Sequence, residues 1–475
     1  MQAKHRRHLL SSSFLALAAA AAPTAAATTA TPQDDGPALG NQRITQFEIT
    51  SGTLTLDELR AAGMRMFATP FNKLDGYGDG PMDPLSPTDP LRRPTLQNNG
   101  TFLRVNGLDA QTCMECHSVG SNTTAPFTFA VGGVGHSNNN VLFQPRFVDV
   151  ADSAGNGFAD FDGRFINPPF LFGSGGVELL GLEMTMDLQR GFRAAFTTPD
   201  LDVSMVTHGV SFGVLRYDSA AQDFDYSGLE GVDEDLVIRP FGRKGEFATV
   251  RGFDIDAMRF HFGMQPVEFA GPGVDNDLDN VVDEILVGEL SALHIFNTHL
   301  ERPEVRDWNG EAQAGFGLFS TIGCSDCHVP SINTRSKSLR YRFPEVETAP
   351  QLNQFYATDL VQSKAGFDLA PSGGIQVPLF SDLKRHDMGA GLAESFGSPL
   401  DSEFITARLW GVADTAPYLH DGRATTLTEA ILAHGGEAIS ARNAFASLSL
   451  PERIQVLTFL KRLRTPVDPA ADLLP

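Results

Sequence analysis

Apolar residues recur at helical spacing in two stretches of the chain, and each stretch ends at a proline. The stripes consist of Leu290, Leu293, Phe296 and Leu300 before Pro303, and of Val456, Leu457, Leu460 and Leu463 before Pro466. Ser449 and Glu452 form a capping box in front of the second stripe. The pattern predicts two amphipathic helices, each packing its stripe into a core.

The N-terminal residues have the pattern of an export signal. Lys4, Arg6 and Arg7 precede an apolar run from Leu9 to Ala22, and small residues follow it. The run is too short and too rich in alanine for a membrane anchor. We expect residues 1–30 to be a signal peptide and 31–60 a flexible segment. The mature protein would be periplasmic or secreted, with no stable membrane insertion.

The charge of the chain limits the classes of partner. With 36 basic against 58 acidic residues, the formal net charge is −22. Such a surface repels phosphate backbones and anionic membranes, so we predict no nucleic-acid partner. A small redox protein of basic character, or another external electron donor, fits this charge.

All four cysteines of the chain lie in two copies of Cys-x-x-Cys-His. The copies are "CMECH", with Cys113, Cys116 and His117, and "CSDCH", with Cys324, Cys327 and His328. Two disulfides, one zinc bound by four thiolates, and covalent haem c attachment are the three interpretations.

The histidine after each second cysteine favours haem, because neither a disulfide nor a four-cysteine zinc site requires it. In haem attachment the cysteines form thioethers and the histidine ligates the iron. We therefore predict two covalently bound haem c groups. His117 would bind the iron of haem one, and His328 the iron of haem two.

A second repeat follows each motif. The segments "FDGRFINPPFLFGSGGVE" and "HDGRATTLTEAILAHGGE" both contain Asp-Gly-Arg and later Gly-Gly. Gly435 and Gly436 are typical of a stop to a short helix that begins near Leu427. His434 precedes this pair, whereas Ser174 occupies the matching position in the first copy. His434 is either the second axial ligand of haem two or a histidine stabilised by the helix dipole.

Three segments resemble the di-haem oxidoreductases related to bacterial di-haem cytochrome c peroxidases. They are "RPFGRKGEFATVRGF", "HFGMQPVE" and "ARLWGVADTAPYLHDGRATTLTEAILAHGGEA". The family has a second ligand of the C-terminal haem fourteen residues after the histidine of "APYxHxG". In this chain that position is His434, fourteen residues after His420. Many peroxidases have methionine there, and histidine implies a lower reduction potential.

The resemblance also implies that haem one reacts with the oxidant, assisted by a nearby carboxylate. Glu178 and Glu183 are the candidate catalytic residues, with Glu178 ranked first, and solvated helix residues are the alternative for both. His136 is a candidate removable sixth ligand of haem one. The peroxidases have a tryptophan between the haems where this chain has Phe161. Electrons would then pass by another route, through Trp410 or Trp308.

An acidic stretch, "DNDLDNVVDE", has carboxylates at alternate or nearly alternate positions. They are Asp275, Asp277, Asp279 and Asp283. This spacing lets a short loop surround Ca²⁺, although the glycine and the final glutamate of an EF-hand are missing. The alternatives are a calcium site and an acidic surface loop.

These features predict a mainly α fold with two cytochrome c-like haem domains in tandem and long irregular insertions. Residues 61–304 would form the catalytic N-terminal haem domain and 305–475 the electron-transfer domain. The predicted function is peroxidase-like reduction of a small-molecule oxidant, hydrogen peroxide or a related one, at haem one. The alternatives are an oxygenase that cleaves an apolar substrate with dioxygen, and an electron-transfer cytochrome without catalysis.

Overall fold

The computed structural model describes residues 35–78, 103–104, 107–108, 110–117, 142–149, 160–394 and 401–473. The predicted signal peptide and His136 lie outside these ranges. Residues 37–475 belong to one compact unit. About 35% of the residues are helical and 15% are in strands, so the expected mainly α fold is confirmed only in part.

The helices of the described residues are α1 (Gln46–Thr50), α2 (Leu56–Ala68), α3 (Ser174–Thr197), α4 (Val250–Phe262), α5 (Val267–Ala270), α6 (Val287–Thr298), α7 (Gly310–Thr321), α8 (Leu427–Ala433), α9 (Ile439–Ser447) and α10 (Leu450–Leu460). The predicted helices correspond to α6, α8 and α10. In α10 the capping box is present, since Ser449 N and Oγ both donate to Glu452 Oε2. Leu300 and Leu463 lie just beyond the helices that their stripes predicted.

The strands pair in small antiparallel sheets. They are β1 (Leu103–Arg104), β2 (Gly107–Leu108), β3 (Leu142–Asp149), β4 (Asp160–Ile166), β5 (Val203–Thr207), β6 (Val210–Asp218), β7 (Asp223–Asp225), β8 (Glu304–Val305), β9 (Ile332–Asn333), β10 (Ser338–Arg342), β11 (Gln354–Asp359), β12 (Gln376–Val377), β13 (Arg385–Asp387), β14 (Glu403–Ile405) and β15 (Leu463–Arg464). The pairs are β1-β2, β3-β4, β8-β15, β9-β12, β10-β11 and β13-β14, and β5-β6-β7 form the three-stranded sheet.

Two helix pairs, α2 with α6 and α7 with α10, cross in the same manner. A β-carbon at Gly63 of α2 would lie 2.2 Å from Ala292 O of α6. A β-carbon at Gly315 of α7 would lie 1.9 Å from Gln455 O of α10. Only glycine lets the backbones come this close. The helices that carry these glycines, α2 and α7, each precede one Cys-x-x-Cys-His motif, so this helix crossing occurs once beside each motif.

Separate apolar clusters surround the two motifs. Buried Cys116 packs with aromatic and methionine side chains that include Phe71, Phe172, Met258 and Met264. Cys324 packs against a second cluster, which includes Phe319, Phe380, Phe445 and Phe459. A third and larger cluster contains Val177, Leu180, Tyr341, Phe367 and Trp410. The expected boundary between 304 and 305 stays a prediction.

Candidate functional site

The first Cys-x-x-Cys-His motif is a short 3-10 turn, Cys113–Glu115, anchored to α2. The hydroxyl of Thr112 donates to Phe67 O at 2.9 Å, and His117 N donates to Cys113 O at 2.9 Å. The ring of His117 lies with Nδ1 2.8 Å from Pro169 O. Because a carbonyl oxygen can only accept, Nδ1 carries the hydrogen and Nε2 presents a lone pair.

The second motif repeats this geometry. Gly323, in the left-handed conformation with φ 88°, precedes the 3-10 turn Cys324–Asp326. His328 N donates to Cys324 O at 3.0 Å, and Nδ1 of His328 donates to Phe380 O at 3.0 Å. Here too the tautomer leaves Nε2 available for a metal.

Both motif histidines are held neutral. Burial lowers the pKa of His117 to about 4, against the opposing effect of the Pro169 carbonyl. Burial, with the neighbouring His434, lowers the pKa of His328 to about 4. Neutral imidazole is the form that binds a metal, so protons do not compete for Nε2 at neutral pH.

His434 faces His328. Their ring centres are 6.5 Å apart, and Nδ1 of His434 donates to Ala430 O at 2.8 Å. Burial lowers the pKa of His434 as well. Two imidazoles that share one metal have ring centres roughly 6 Å apart, since each metal–nitrogen bond is about 2 Å long. The space between the two rings therefore fits a haem iron.

Ser174 and Gly175, which match His434 and Gly435 in the sequence repeat, lie against α6. The hydroxyl of Ser174 donates to Asn297 O at 2.7 Å, and a β-carbon at Gly175 would lie 2.2 Å from Thr298 O. His261 lies close enough to lower the pKa of His117, but within the described ranges it makes no ring contact with His117 like that of His434 with His328.

Glu178 lies in a buried charged network. Its carboxylate is 2.8 Å from Nε2 of His294, accepts from Val250 N at 2.9 Å, and lies 3.5 Å from Arg342 Nη2. Burial raises the pKa of Glu178, but the His294, Arg342 and Val250 contacts outweigh it and lower the pKa below its ordinary value. Glu178 is therefore ionised at neutral pH. Its catalytic role stays a prediction.

Glu183 joins α3 to the segment after β9. It accepts from Arg335 N and Ser336 N, both at 2.8 Å, and lies 3.3 Å from Nε2 of His208. Burial raises the pKa of Glu183, but the contacts with His208, Arg335 and Ser336 outweigh it and lower the pKa. The structure thus brings Glu178 and Glu183 onto one helix but engages them with different partners. No contact of either with the first motif is seen among the described residues.

Asp254 is a buried carboxyl that sequence analysis missed. It is 5% exposed, and its Oδ1 accepts from Asn297 Nδ2 at 3.0 Å. Burial, together with the nearby Glu178, raises its pKa well above the ordinary value, against the effect of Arg251. Its charge also raises the pKa of Cys113, so it lies close to the first motif. The sequence did carry a signal for this burial. Asp254 lies four residues before Met258, and this spacing puts both residues on the buried face of α4.

Trp410 lies between the segments that hold the two motif histidines. It is 2% exposed, and a β-carbon at Gly173 would lie 2.8 Å from the indole ring. The adjacent Leu409 N donates to Leu379 O at 3.1 Å, next to the carbonyl that binds His328. Phe170, next to the carbonyl that binds His117, packs near the residue after Trp410.

Trp308 has a different environment. It is 43% exposed and contacts Phe316 and Phe459, beside the second motif. The side chain of Phe161 is not among those described. Of the two tryptophans, Trp410 is therefore the one placed between the halves.

Three of the four residues of the predicted calcium site lie close together. Oxygens of Asp275, Asp277 and Asp279 all lie within 4.8 Å of one another. Asp283 instead accepts from Gly273 N at 2.7 Å. Burial and the charges of these aspartates raise the pKa of nearby Glu284 to about 9. Calcium binding at this loop stays a prediction.

Comparison with known proteins assigns part of the chain to a family. Residues 343–463 match the family model described as "Di-haem oxidoreductase, putative peroxidase". No curated protein matches the chain. Over the described residues, no helix combines the length and apolar character that a membrane span needs.

Two solved structures show weak similarity. The hydrazine synthase of Kuenenia stuttgartiensis pressurized with 20 bar xenon is 17% identical over 38% of this chain and 56% of that chain, with a TM-score of 0.23. This chain thus spans little more than half of that relative. A MauG-like protein associated with microbial copper homeostasis is 18% identical over 51% and 72% of the two chains, with a TM-score of 0.27. At these TM-scores neither similarity supports an argument about function.

The family match covers His434 and the segment Ala407 to Ala438, which carried the resemblance in the sequence. Residues 343–463 are thus the part of the chain that is similar to the di-haem oxidoreductase family.

Proposed function

We propose that the protein is an exported di-haem c-type oxidoreductase that reduces hydrogen peroxide or a related oxidant. The observation that carries the proposal is the asymmetry between the two motif histidines. His328 faces a second imidazole at 6.5 Å, whereas no described imidazole faces His117 in this way. One centre with two protein ligands stores electrons, and one with an open position reacts.

Four cysteines and three histidines would hold the haems. Cys113, Cys116 and His117 would bind haem one, and Cys324, Cys327, His328 and His434 would bind haem two. When bound, haem supplies iron that exchanges single electrons and, at an open coordination position, reduces an oxidant. The carbonyls of Pro169 and Phe380 orient the two proximal imidazoles and hold the hydrogen on Nδ1.

Reduction of hydrogen peroxide to two water molecules consumes two protons and two electrons, so the protein must also supply protons. Ionised Glu178, paired with His294, would accept a proton and pass it on as a general base and acid. Asp254, whose pKa burial raises well above the ordinary value, lies near the first motif and would be a second group that exchanges protons there. Glu183 is the less favoured candidate because two backbone amides already bind its carboxylate.

Electrons would reach haem one from haem two through Trp410. The indole is buried between the segments that hold His117 and His328, and aromatic Phe367 lies 6.3 Å away between ring centres. The external donor would be a small redox protein of basic character, because the chain carries a net charge of −22.

A dioxygen-dependent oxygenase is the second candidate. The side chains around Cys116 are strongly apolar, with Phe71, Phe172, Met258 and Met264 among them. Such surroundings suit an apolar substrate. Both predicted catalytic glutamates are engaged in ion pairs or amide contacts, which also favours chemistry that does not need them.

The test is electron paramagnetic resonance of the purified protein, fully oxidised, then half-reduced, and then mixed with peroxide. We expect one high-spin and one low-spin ferric haem, and rapid loss of the high-spin signal with peroxide. The E178Q variant should slow that loss more than E183Q does. Two low-spin haems that do not respond to peroxide would instead indicate an electron carrier. A high-spin haem that ignores peroxide but binds dioxygen when reduced would favour the oxygenase.

A further inference from the structure

The 380–389 loop, which includes strand β13, contacts His328 of the predicted second haem site and the residues that follow His434. Its first residue, Phe380, accepts from Nδ1 of His328 at 3.0 Å. Ser381 N donates to Val329 O at 3.0 Å, which ties the loop to the residue after His328. The loop therefore begins on the side of the proximal ligand.

The centre of the loop carries His386 between two carboxylates. Nε2 of His386 lies 2.9 Å from Asp382 Oδ2, and Nδ1 lies 2.7 Å from Glu437 Oε2. Ligand atoms of Cys327, Asp382 and His386 all lie within 4.8 Å of one another. Asp382 and His386 therefore lie beside Cys327, a predicted haem-attachment cysteine. A carboxylate thus lies on each side of the His386 ring.

The end of the loop supports the segment that carries His434. Asp387 N donates to the other oxygen of Glu437, Oε1, at 3.0 Å. A β-carbon at Gly436 would lie 2.1 Å from Asp387 O, and one at Gly435 would lie 2.8 Å from Met388 O. The two backbones are in direct contact, and the Gly-Gly pair after His434 is what permits it.

Helix α8 is the other element that holds His434, and its Ile431 packs against the cluster around Cys324. Helix α8, which ends one residue before His434, has seven residues, and Leu427 is its buried residue. A helix of two turns is not stable without tertiary contacts. Leu432, near its end, is 40% exposed. The contacts of the 380–389 loop therefore add to the restraint that this short helix places on the His434 segment.

We propose that the 380–389 loop is a clasp that keeps His434 on haem two, and that His386 and Glu437 are its positioning residues. The inference rests on the proposed ligation of haem two by His328 and His434. The clasp gives His386 and Glu437 a role beyond that ligation. Changes in the loop should free the coordination position that His434 would hold on the iron. Opening this position would turn an electron-storing centre into one that binds exogenous ligands.

The experiment compares E437A and G436A with the matched control G391A in the full-length protein carrying both haems. Glu437→Ala removes both contacts of the carboxylate, and Gly436→Ala forces the two backbones apart at a position with φ 48°. A β-carbon at Gly391 would meet nothing within 4 Å, although it belongs to the same region. The readouts are the low-spin resonance of haem two and carbon monoxide binding by the fully reduced protein.

We expect E437A and G436A to raise the fraction of haem two that binds carbon monoxide by about tenfold or more, because charge-assisted contacts are lost. G391A should match the wild type. E437Q keeps the oxygen that accepts from Asp387 N and should have an intermediate effect, which also serves if E437A does not fold. Haem content and circular dichroism verify that each variant is assembled.

The outcomes separate the clasp from the ligation on which it rests. A low-spin haem two in the wild type that stays unchanged in E437A, E437Q and G436A would overturn the clasp and leave the ligation standing. A wild type whose haem two is high-spin, or whose H434A variant has an unchanged spectrum, would overturn the ligation itself and the clasp with it.

Discussion

Arg60 of α2 and Asp472 near the C-terminus form a salt bridge, with Nη1 and Oδ2 2.7 Å apart. The side chain of Arg60 is 1% exposed and that of Asp472 is 32% exposed. The bridge joins the C-terminal segment to the first half of the chain, where Ala470 is also buried in the cluster around Cys116.

Replacing Asp472 with Asn should destabilise the protein, because the buried guanidinium of Arg60 loses its nearer carboxylate and keeps Asp57, whose Oδ1 lies 3.4 Å from Arg60 Nη1. We expect the free energy of unfolding to fall by roughly 1–3 kcal/mol. This loss is smaller than for a fully buried pair, because Asp472 is partly exposed. Chemical denaturation measures it. The control is D368N, since Asp368 pairs with Arg302 at the same 2.7 Å but is 67% exposed. Equal effects of D472N and D368N would show that the burial of Arg60 contributes nothing.

The pKa of Asp254 predicts a pH-dependent effect of D254N. In the folded protein burial raises this pKa, so the folded state binds more protons than the unfolded state above pH ~4. The stability contributed by Asp254 therefore falls as pH rises through that point. D254N removes this dependence, and its stability relative to the wild type should increase from pH 4 to pH 8. Urea unfolding at several pH values checks it, and a constant difference would contradict it.

Trp410 is predicted to carry electrons between the haems. The W410F variant keeps an aromatic ring against Gly173 but is far harder to oxidise, so electron equilibration should slow by about tenfold or more while both haem spectra stay unchanged. Flash reduction followed by absorbance at the two haem bands measures the rate. W308F is the control, since Trp308 is 43% exposed. A larger effect of W308F would move the route to that residue.

His434 is predicted to lower the reduction potential of haem two. Replacing it with methionine should keep the haem low-spin and raise its potential, because a thioether stabilises ferrous iron. A potentiometric titration of H434M against the wild type gives the shift, and haem one serves as the internal reference. An unchanged potential would mean that His434 does not bind the iron.

The loop of Asp275, Asp277 and Asp279 is predicted to bind Ca²⁺. Calcium should raise the melting temperature by mass action, chelator should reverse the change, and D277N should abolish it. Magnesium at the same ionic strength is the control for charge screening. Equal shifts of the melting temperature with the two ions would indicate that the loop is an acidic surface segment without a specific calcium site. D283N should have less effect than D277N, because Asp283 accepts from Gly273 N.

Local signals predicted the elements that depend on local chemistry. The capping box at Ser449 and the stripe after it correctly placed α10, and Gly435 and Gly436 marked the end of α8. The many short strands were not anticipated. Nine of the fifteen described strands have only two or three residues, too few for a periodic pattern, and some pair residues far apart in the chain, as Leu463 does with Val305.

The sequence by itself determined the two Cys-x-x-Cys-His motifs and, from them, the prediction of haem attachment in two copies. Adjacent residues must meet one porphyrin, so this motif predicts haem without reference to a fold. Only the tertiary structure decided which polar groups are paired. It placed Glu178 against His294, buried Asp254 beside Asn297, and bound His386 to Glu437. A carboxyl's charge state depends on neighbours that are remote in the chain, and folding alone brings them together.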